Sequence, residues 1–247
     1  MRYFLDIAYK GTNYHGWQIQ PNAHTIQAEI EAALSKIYRE DIRIVGSGRT
    51  DTGVHAIQQV AHFDGPTSFI TEQLVNRLNS ILPADVVVKA AQQVKADAHA
   101  RFDAIERGYI YKISMKRSPF GENEFLHVPY ELNIDLMNEA AQTLLGVHDF
   151  QSFSRVKTEV NHFICDIREA KWERNDEELV FHVQADRFLR GMIRALVGTM
   201  IDIGRGKLSV ADFVAIQEAK NRQRAGKAAS PDGLFLNKVE YPSEIYI

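Results

Sequence analysis

Hydrophobic and polar positions change period along the chain, and each change predicts an element. The run "RYFLDIAY" predicts a first strand. In "TIQAEIEAALSKIYRE", Ile26, Ile30, Ala33, Leu34 and Ile37 fall on one helical face, and Thr25 stands where an N-cap is needed. "IRIV" predicts a second strand and "VHAIQQVAHF" a third, with Val54, Ala56, Gln58, Val60 and His62 on one face. A helix follows from Thr71 to Leu82, with Leu74, Val75, Leu78 and Ile81 on one side and Pro83 ending it, and then the strand "DVVVKAA". The order β-α-β-β-α-β is that of the ferredoxin-like split unit.

The second half repeats this order without repeating the sequence. A strand "GYIYKISM" leads to a helix from Asp135 to Leu145 that Gly146 ends. A hairpin then runs from "CDIREAKWE" to "LVFHVQA", turning at Asn175-Asp176. Helices from Phe188 to Ile203 and near Ser209 to Lys220 precede a last strand, "GLFLNKVEY". The expected fold is α+β: two ferredoxin-like halves, residues 1–104 and 105–247, forming one extended, mostly antiparallel sheet with helices behind it and a central cleft.

At 247 residues and 45% hydrophobic, the chain is long enough for one large or two small domains with a real core. "MRYFLDIAYKG" is interrupted by Asp6 and Lys10, and nowhere do 18 apolar residues follow one another, so a soluble, cytoplasmic protein with no membrane association is expected. The single cysteine, Cys165, excludes an internal disulfide and fits a reducing compartment. "HFIC" sets His162 three residues before it, but no second pair exists to complete a metal site, and Cys165 reads as core. The net charge of −3 does not advertise a nucleic-acid partner, yet Arg187, Arg190, Arg194, Arg205, Lys207, Lys220, Arg222, Arg224 and Lys227 crowd the last quarter.

The segment richest in candidate chemistry is "GSGRTDTGVHA", residues 46–56, a Gly- and Thr-rich loop between two strands around one carboxylate, Asp51. In the plainest reading Asp51 caps a turn. A phosphate-cradling loop is excluded, because it needs a lysine after its last glycine and then a helix. "DTG" also matches the aspartic protease triplet, which needs a second carboxylate to share the proton; the chain has no second triplet. A third reading makes Asp51 a nucleophile, with Arg49 or Arg194 as the cation that would keep it ionised if buried. Arg194 lies in "FLRGMIRALVG", where Arg187, Gly191, Arg194 and Gly198 form a stripe opposite a broad apolar face. Two glycines inside a helix cost about 1 kcal/mol each relative to Ala, so close approach of something bulky is expected there. "RGYIYKI" puts Arg107, Tyr109 and Tyr111 on one strand face and partly matches the aromatic RNP1 pattern of RNA-binding sheets, departing at Ile110, Lys112 and Ser114. An RNA-binding module without chemistry is the rival reading.

Together these segments resemble the TruA-type tRNA pseudouridine synthases. The matching pieces run in order through nearly the whole chain: "YHGWQIQPNAHTIQAEIE", "GSGRTDTGVHA", "LNSILPADV", "AHARFDAIERGYIYKI", "HDFQSF", "QADRFLRGMIRALVGTMIDIGRGK" and "PDGLFLNKVEY". The resemblance implies an isomerase that detaches uracil N1 from the ribose C1′ in tRNA and rejoins the base through C5, at positions 38, 39 and 40 of the anticodon stem-loop. It implies a homodimer with tRNA crossing both subunits, and no cofactor or metal. By resemblance Asp51 is the nucleophile, at C6 of the base or at C1′ of the sugar. Arg49 helps flip the base and fills its place, Tyr109 lies against the flipped uracil, and Arg194 pairs with the aspartate. The family's RNA-contacting "FHARF" is "AHARF" here: Ala98 stands in place of phenylalanine, and His99, Arg101 and Phe102 are kept. Lys157 falls where the family touches tRNA.

Overall fold

In the computed structural model, which describes residues 1–66, 71–119, 121–156 and 160–247, the first apolar run forms β1 (Arg2–Tyr9) and buries Tyr3, Leu5 and Ile7 almost completely. After α1 (Ile26–Tyr38) come β2 (Val45–Gly46), β3 (His55–Asp64), α2 (Thr71–Asn79) and β4 (Val86–Val94). Strand β1 pairs antiparallel with β3 on one side and β4 on the other, and β2 pairs antiparallel with β3. The resulting order, β4-β1-β3 with β2 outside β3, places β3 between the two strands that α1 connects, as the split unit requires. The Thr25 side chain accepts the Ala28 amide (3.4 Å), and the helix ends where Arg39 turns left-handed at φ +59°.

Two predicted elements of this half come out shorter, each for a visible reason. Of "IRIV" only Val45 joins a strand, because α1 takes the backbone of Ile44: the Glu31 carboxylate accepts its amide (3.0 Å) and the Gln27 side chain donates to its carbonyl (3.1 Å). Helix α2 stops at Asn79 rather than Leu82, because the Asn79 amide pairs with both backbone groups of Val88 (2.8 and 2.9 Å). Ile81, expected on the apolar face, is 37% exposed.

The second half holds β5 (Glu106–Ser114), β6 (Leu126–His127), α3 (Ile134–Gln142), β7 (Gly146–Asp149), β8 (Ile164–Asn175), β9 (Glu178–Ala185), α4 (Met192–Gly204) and α5 (Val210–Glu218), followed by β10 (Leu234–Glu240). The antiparallel order is β5-β9-β8-β7, with β6 parallel on β5. The predicted hairpin turns at Asp176, whose φ is +52°. Helix α5 starts on a capping box formed by Ser209 and Asp212. Helix α4 begins at Met192, not Phe188: Gly191 sits at φ +72°, and the Arg190 carbonyl accepts from the Arg155 amide (2.9 Å) instead of from a helical turn.

The chain divides into two compact units, residues 1–106 with 235–247, and residues 107–234. In the first, β10 runs parallel to β3 at His55 and Ala56, and Phe235 stacks on His55 at 4.6 Å. In the second, α3 is tied to β8 by the Asn138 side chain, which bonds both backbone groups of Trp172. The expected α+β class and mostly antiparallel pairing are borne out. Among the described residues no helix is long and apolar enough to cross a membrane.

Candidate active site

The Asp51 loop leaves β2, enters β3 and is held on both limbs. On the incoming limb the Ser47 amide donates to Val60 O (2.7 Å), and the Ser47 hydroxyl donates to Gln59 Oε1 (2.5 Å). Gln59 in turn donates its Nε2 to Gly48 O (3.1 Å). At the apex the Trp17 amide donates to Thr50 O (3.2 Å), and the Thr50 and Tyr9 hydroxyls share a buried hydrogen bond of 2.8 Å. On the outgoing limb the Gly53 amide donates to Tyr14 O (3.4 Å) and the Val54 amide to Asp51 O (3.1 Å). Gly16, at φ +89°, passes so near that a Cβ there would lie 2.5 Å from Thr50 O. The "YHGWQ" segment is therefore the wall on which the aspartate loop is built. Asp51 is half-buried and Arg49 exposed on that same loop. Thr50 and Val54, on either side, are buried.

Strand β5 does put Arg107, Tyr109 and Tyr111 on one face, but in three environments. Arg107 donates to Asp186 O (3.0 Å). Tyr109 is half-buried, with its ring edge-on to Phe188 at 5.2 Å. Tyr111 is fully buried and donates its hydroxyl to Ser230 O (2.8 Å); burial raises its phenol well above the ordinary value. Tyr111 is thus core, and Tyr109 is the half-buried aromatic of the pair.

Arg194, in the first turn of α4, donates from Nε to Ala229 O (2.7 Å), and the Ala229 amide donates back to Arg194 O (2.9 Å). The segment 225–231 lies along the helix as a strap: the Gly226 amide donates to Thr199 Oγ1 (3.0 Å), and Arg222 Nη1 donates to Ala225 O (3.2 Å) and Gly226 O (3.0 Å). The bulky neighbour expected at Gly198 is this strap, since a Cβ on Gly198 would stand 1.9 Å from Lys227 O. The glycine stripe is not a helical one throughout, because Arg187 and Gly191 precede α4.

His99, Arg101 and Phe102 come together in one turn after β4. His99 Nδ1 accepts the amides of Arg101 (3.1 Å) and Phe102 (3.3 Å), while its own amide donates to Asp103 Oδ2 (2.7 Å). Phe102 projects outward, 73% exposed, with the Arg101 guanidinium 5.6 Å over its ring. Ala98 is buried, and its carbonyl accepts from Arg2 Nη1 (3.0 Å). Lys157 lies outside the described residues.

Asp51, Arg49 and the 98–103 turn belong to the first unit, Tyr109 and Arg194 to the second. Among the described residues no group of side chains could hold a metal ion. His162 Nε2 lies 3.2 Å from Arg187 Nη1, and Cys165 is buried, which pushes its thiol up to about 12. Several of the crowded basic residues are already engaged, Lys220 with Asp149 (2.9 Å) and Arg205 over the Tyr130 ring (4.3 Å). Sequence reasoning missed the support given by Tyr9, Trp17 and Gln59 to the loop and by Phe188 to Tyr109. The "YHGWQ" stretch carried a signal for the first, since it precedes α1 and has no place in the helix pattern.

A family model described as tRNA pseudouridine synthase matches residues 7–103 and 140–242. A tRNA pseudouridine synthase A from Bacteroides fragilis is 49% identical over 247 residues, covering 99% of this chain and 98% of that one. The protein of the same name from Bacteroides thetaiotaomicron is 47% identical over 99% of this chain and 92% of its own. That from Porphyromonas gingivalis is 46% identical, over 100% and 99%.

Proposed function

This chain belongs to the tRNA pseudouridine synthase family, and from that premise we propose that Asp51 is its nucleophile and that its targets are uridines 38, 39 and 40 of the anticodon stem-loop. The protein is an isomerase that makes pseudouridine in tRNA. The reaction is balanced without a co-substrate: the N1–C1′ bond breaks, a C5–C1′ bond forms, C5 gives up its proton and N1 takes one.

The observation that carries the assignment of Asp51 is the contrast between a fixed backbone and a reachable side chain. Thr50 and Gly53 are bonded to Trp17, Tyr9 and Tyr14, while Asp51 between them remains half-buried. Such a loop presents a carboxylate with little reorganisation during reaction. A paired uridine must first leave the stack, at a cost of a few kcal/mol. Arg49, exposed beside Asp51, suits the role of filling the vacated place, and Tyr109 that of lying against the flipped base, where stacking returns about 1–3 kcal/mol. Arg194 takes the role of the cation that pairs with the aspartate. His99, Arg101 and Phe102 contact the RNA away from the reacting base, and Lys157 adds a further contact. The working form in this proposal is a cytoplasmic homodimer with tRNA lying across both subunits.

The test is tritium release from tRNA labelled at C5 of uridine, with Asp51→Ala beside the wild type and the product positions mapped. Release by the wild type alone, from the anticodon stem-loop, is the expected result. Release by Asp51→Ala at a comparable rate would remove Asp51 as nucleophile, and release mapping elsewhere would replace the substrate positions.

A further inference from the structure

His62 points from β3 into the turn that carries Arg101 and Phe102. It is 6% exposed, and its Nδ1 accepts the Ala100 amide at 3.1 Å. Its ring meets that of His99 edge-on at 4.6 Å, and the His99 ring in turn lies 4.3 Å from that of Phe102. The turn's backbone has further anchors: Arg2 donates to Ala98 O (3.0 Å), the Tyr241 hydroxyl to Ala100 O (2.6 Å) and the Asp103 amide to His99 O (3.0 Å). Two of these anchors meet at Ala100, two residues before Phe102: Tyr241 holds its carbonyl, and His62 accepts its amide.

We propose that His62 is a positioning residue for tRNA binding: by accepting the Ala100 amide and abutting His99, it sets the angle at which Arg101 and Phe102 face the RNA. The proposal rests on the reading of those two residues as RNA contacts. Nothing in the reaction itself calls for His62, which lies on the far part of β3 from the Asp51 loop, eleven residues along the chain. Its Nδ1 must be unprotonated to accept, so the proton sits on Nε2. The surroundings favour this neutral ring. Burial first, then His99 and Arg2, push His62 down to about 4, against the opposing pull of Asp64 and Asp103. The ring is therefore a constant acceptor throughout the neutral range.

The experiment compares His62→Phe, His62→Asn, Arg101→Ala and Phe102→Ala by steady-state tritium release from tRNA. His62→Phe keeps a ring but leaves the Ala100 amide without its acceptor. It should raise the KM for tRNA about tenfold while kcat stays within about twofold. His62→Asn, whose Oδ1 can take the place of Nδ1, should recover most of the loss. A raised KM in Arg101→Ala with an unchanged KM in His62→Phe overturns the positioning role while leaving the RNA contact standing. Unchanged KM in both Arg101→Ala and Phe102→Ala removes the RNA contact itself, and the proposal with it. A fall in kcat without a change in KM, or equal damage in His62→Asn and His62→Phe, also overturns it. Should His62→Phe fail to fold, nitrogen NMR of the wild type decides. The proposal requires an unprotonated Nδ1 on His62 and an Ala100 amide resonance that shifts when stem-loop RNA is added; an Nδ1-protonated ring or an unmoved amide defeats it.

Discussion

Gly198 in α4 lies directly beneath the carbonyl of Lys227, at a distance that would leave a Cβ only 1.9 Å from the oxygen. The same contact seats Ala229 beside Arg194, so one small residue sets both how the strap packs and where an arginine's hydrogen bond goes.

Replacing Gly198 by Ala gains about 1 kcal/mol of helix propensity. It loses more, because the obstruction is backbone, and overpacking of this kind costs about 1–3 kcal/mol. Gly198→Ala should lower the Tm and reduce tritium release together, since the strap cannot shift without displacing Ala229. A variant as stable and active as the wild type would mean that the strap yields freely.

Arg194→Lys keeps the charge but loses the planar donor that reaches Ala229 O at 2.7 Å. Activity should fall by at least about tenfold, while the melting temperature changes little, because the Ala229 amide still bonds the backbone of residue 194. Near-normal activity would show that a point charge suffices there.

Phe102 is 73% exposed, so its truncation should leave stability within about 0.5 kcal/mol. If its face stacks on a base, Phe102→Ala should weaken tRNA binding by about 1–3 kcal/mol, measured at one fixed salt concentration. Unchanged affinity would assign the exposed ring no part in binding.

His62 also makes stability depend on pH. Its folded value, about 4, lies below the ordinary 6.5, so the unfolded chain takes up the proton first as the medium is acidified. The contribution is complete above pH 6.5 and is lost progressively down to about pH 4. Thermal melts across that window should show a decline that is smaller in His62→Asn, which has no proton to take up. Identical declines in both proteins would place the acid sensitivity elsewhere.

Much of this molecule was legible because its signals are short-range. The spacing of Ile26, Ile30 and Leu34, the Thr25 cap, the Asn175-Asp176 turn and the Gly- and Thr-rich loop around Asp51 each lie within one window of sequence, where local sterics and hydrogen bonding decide the outcome. The chemical candidates, Asp51, Tyr109 and Arg194, were read from such windows too. What tertiary structure decided are the relations whose partners lie far apart in the chain. Glu31 and Gln27 take the backbone of Ile44 and cut a strand to two residues. Lys227 explains Gly198, Ser230 turns Tyr111 into core while Tyr109 on the same face stays half-buried, and the Ala100 amide finds its acceptor in His62. No periodicity encodes these, because each depends on which surfaces meet once the chain has packed. A hydrogen bond across such a distance leaves no mark on the residues beside it.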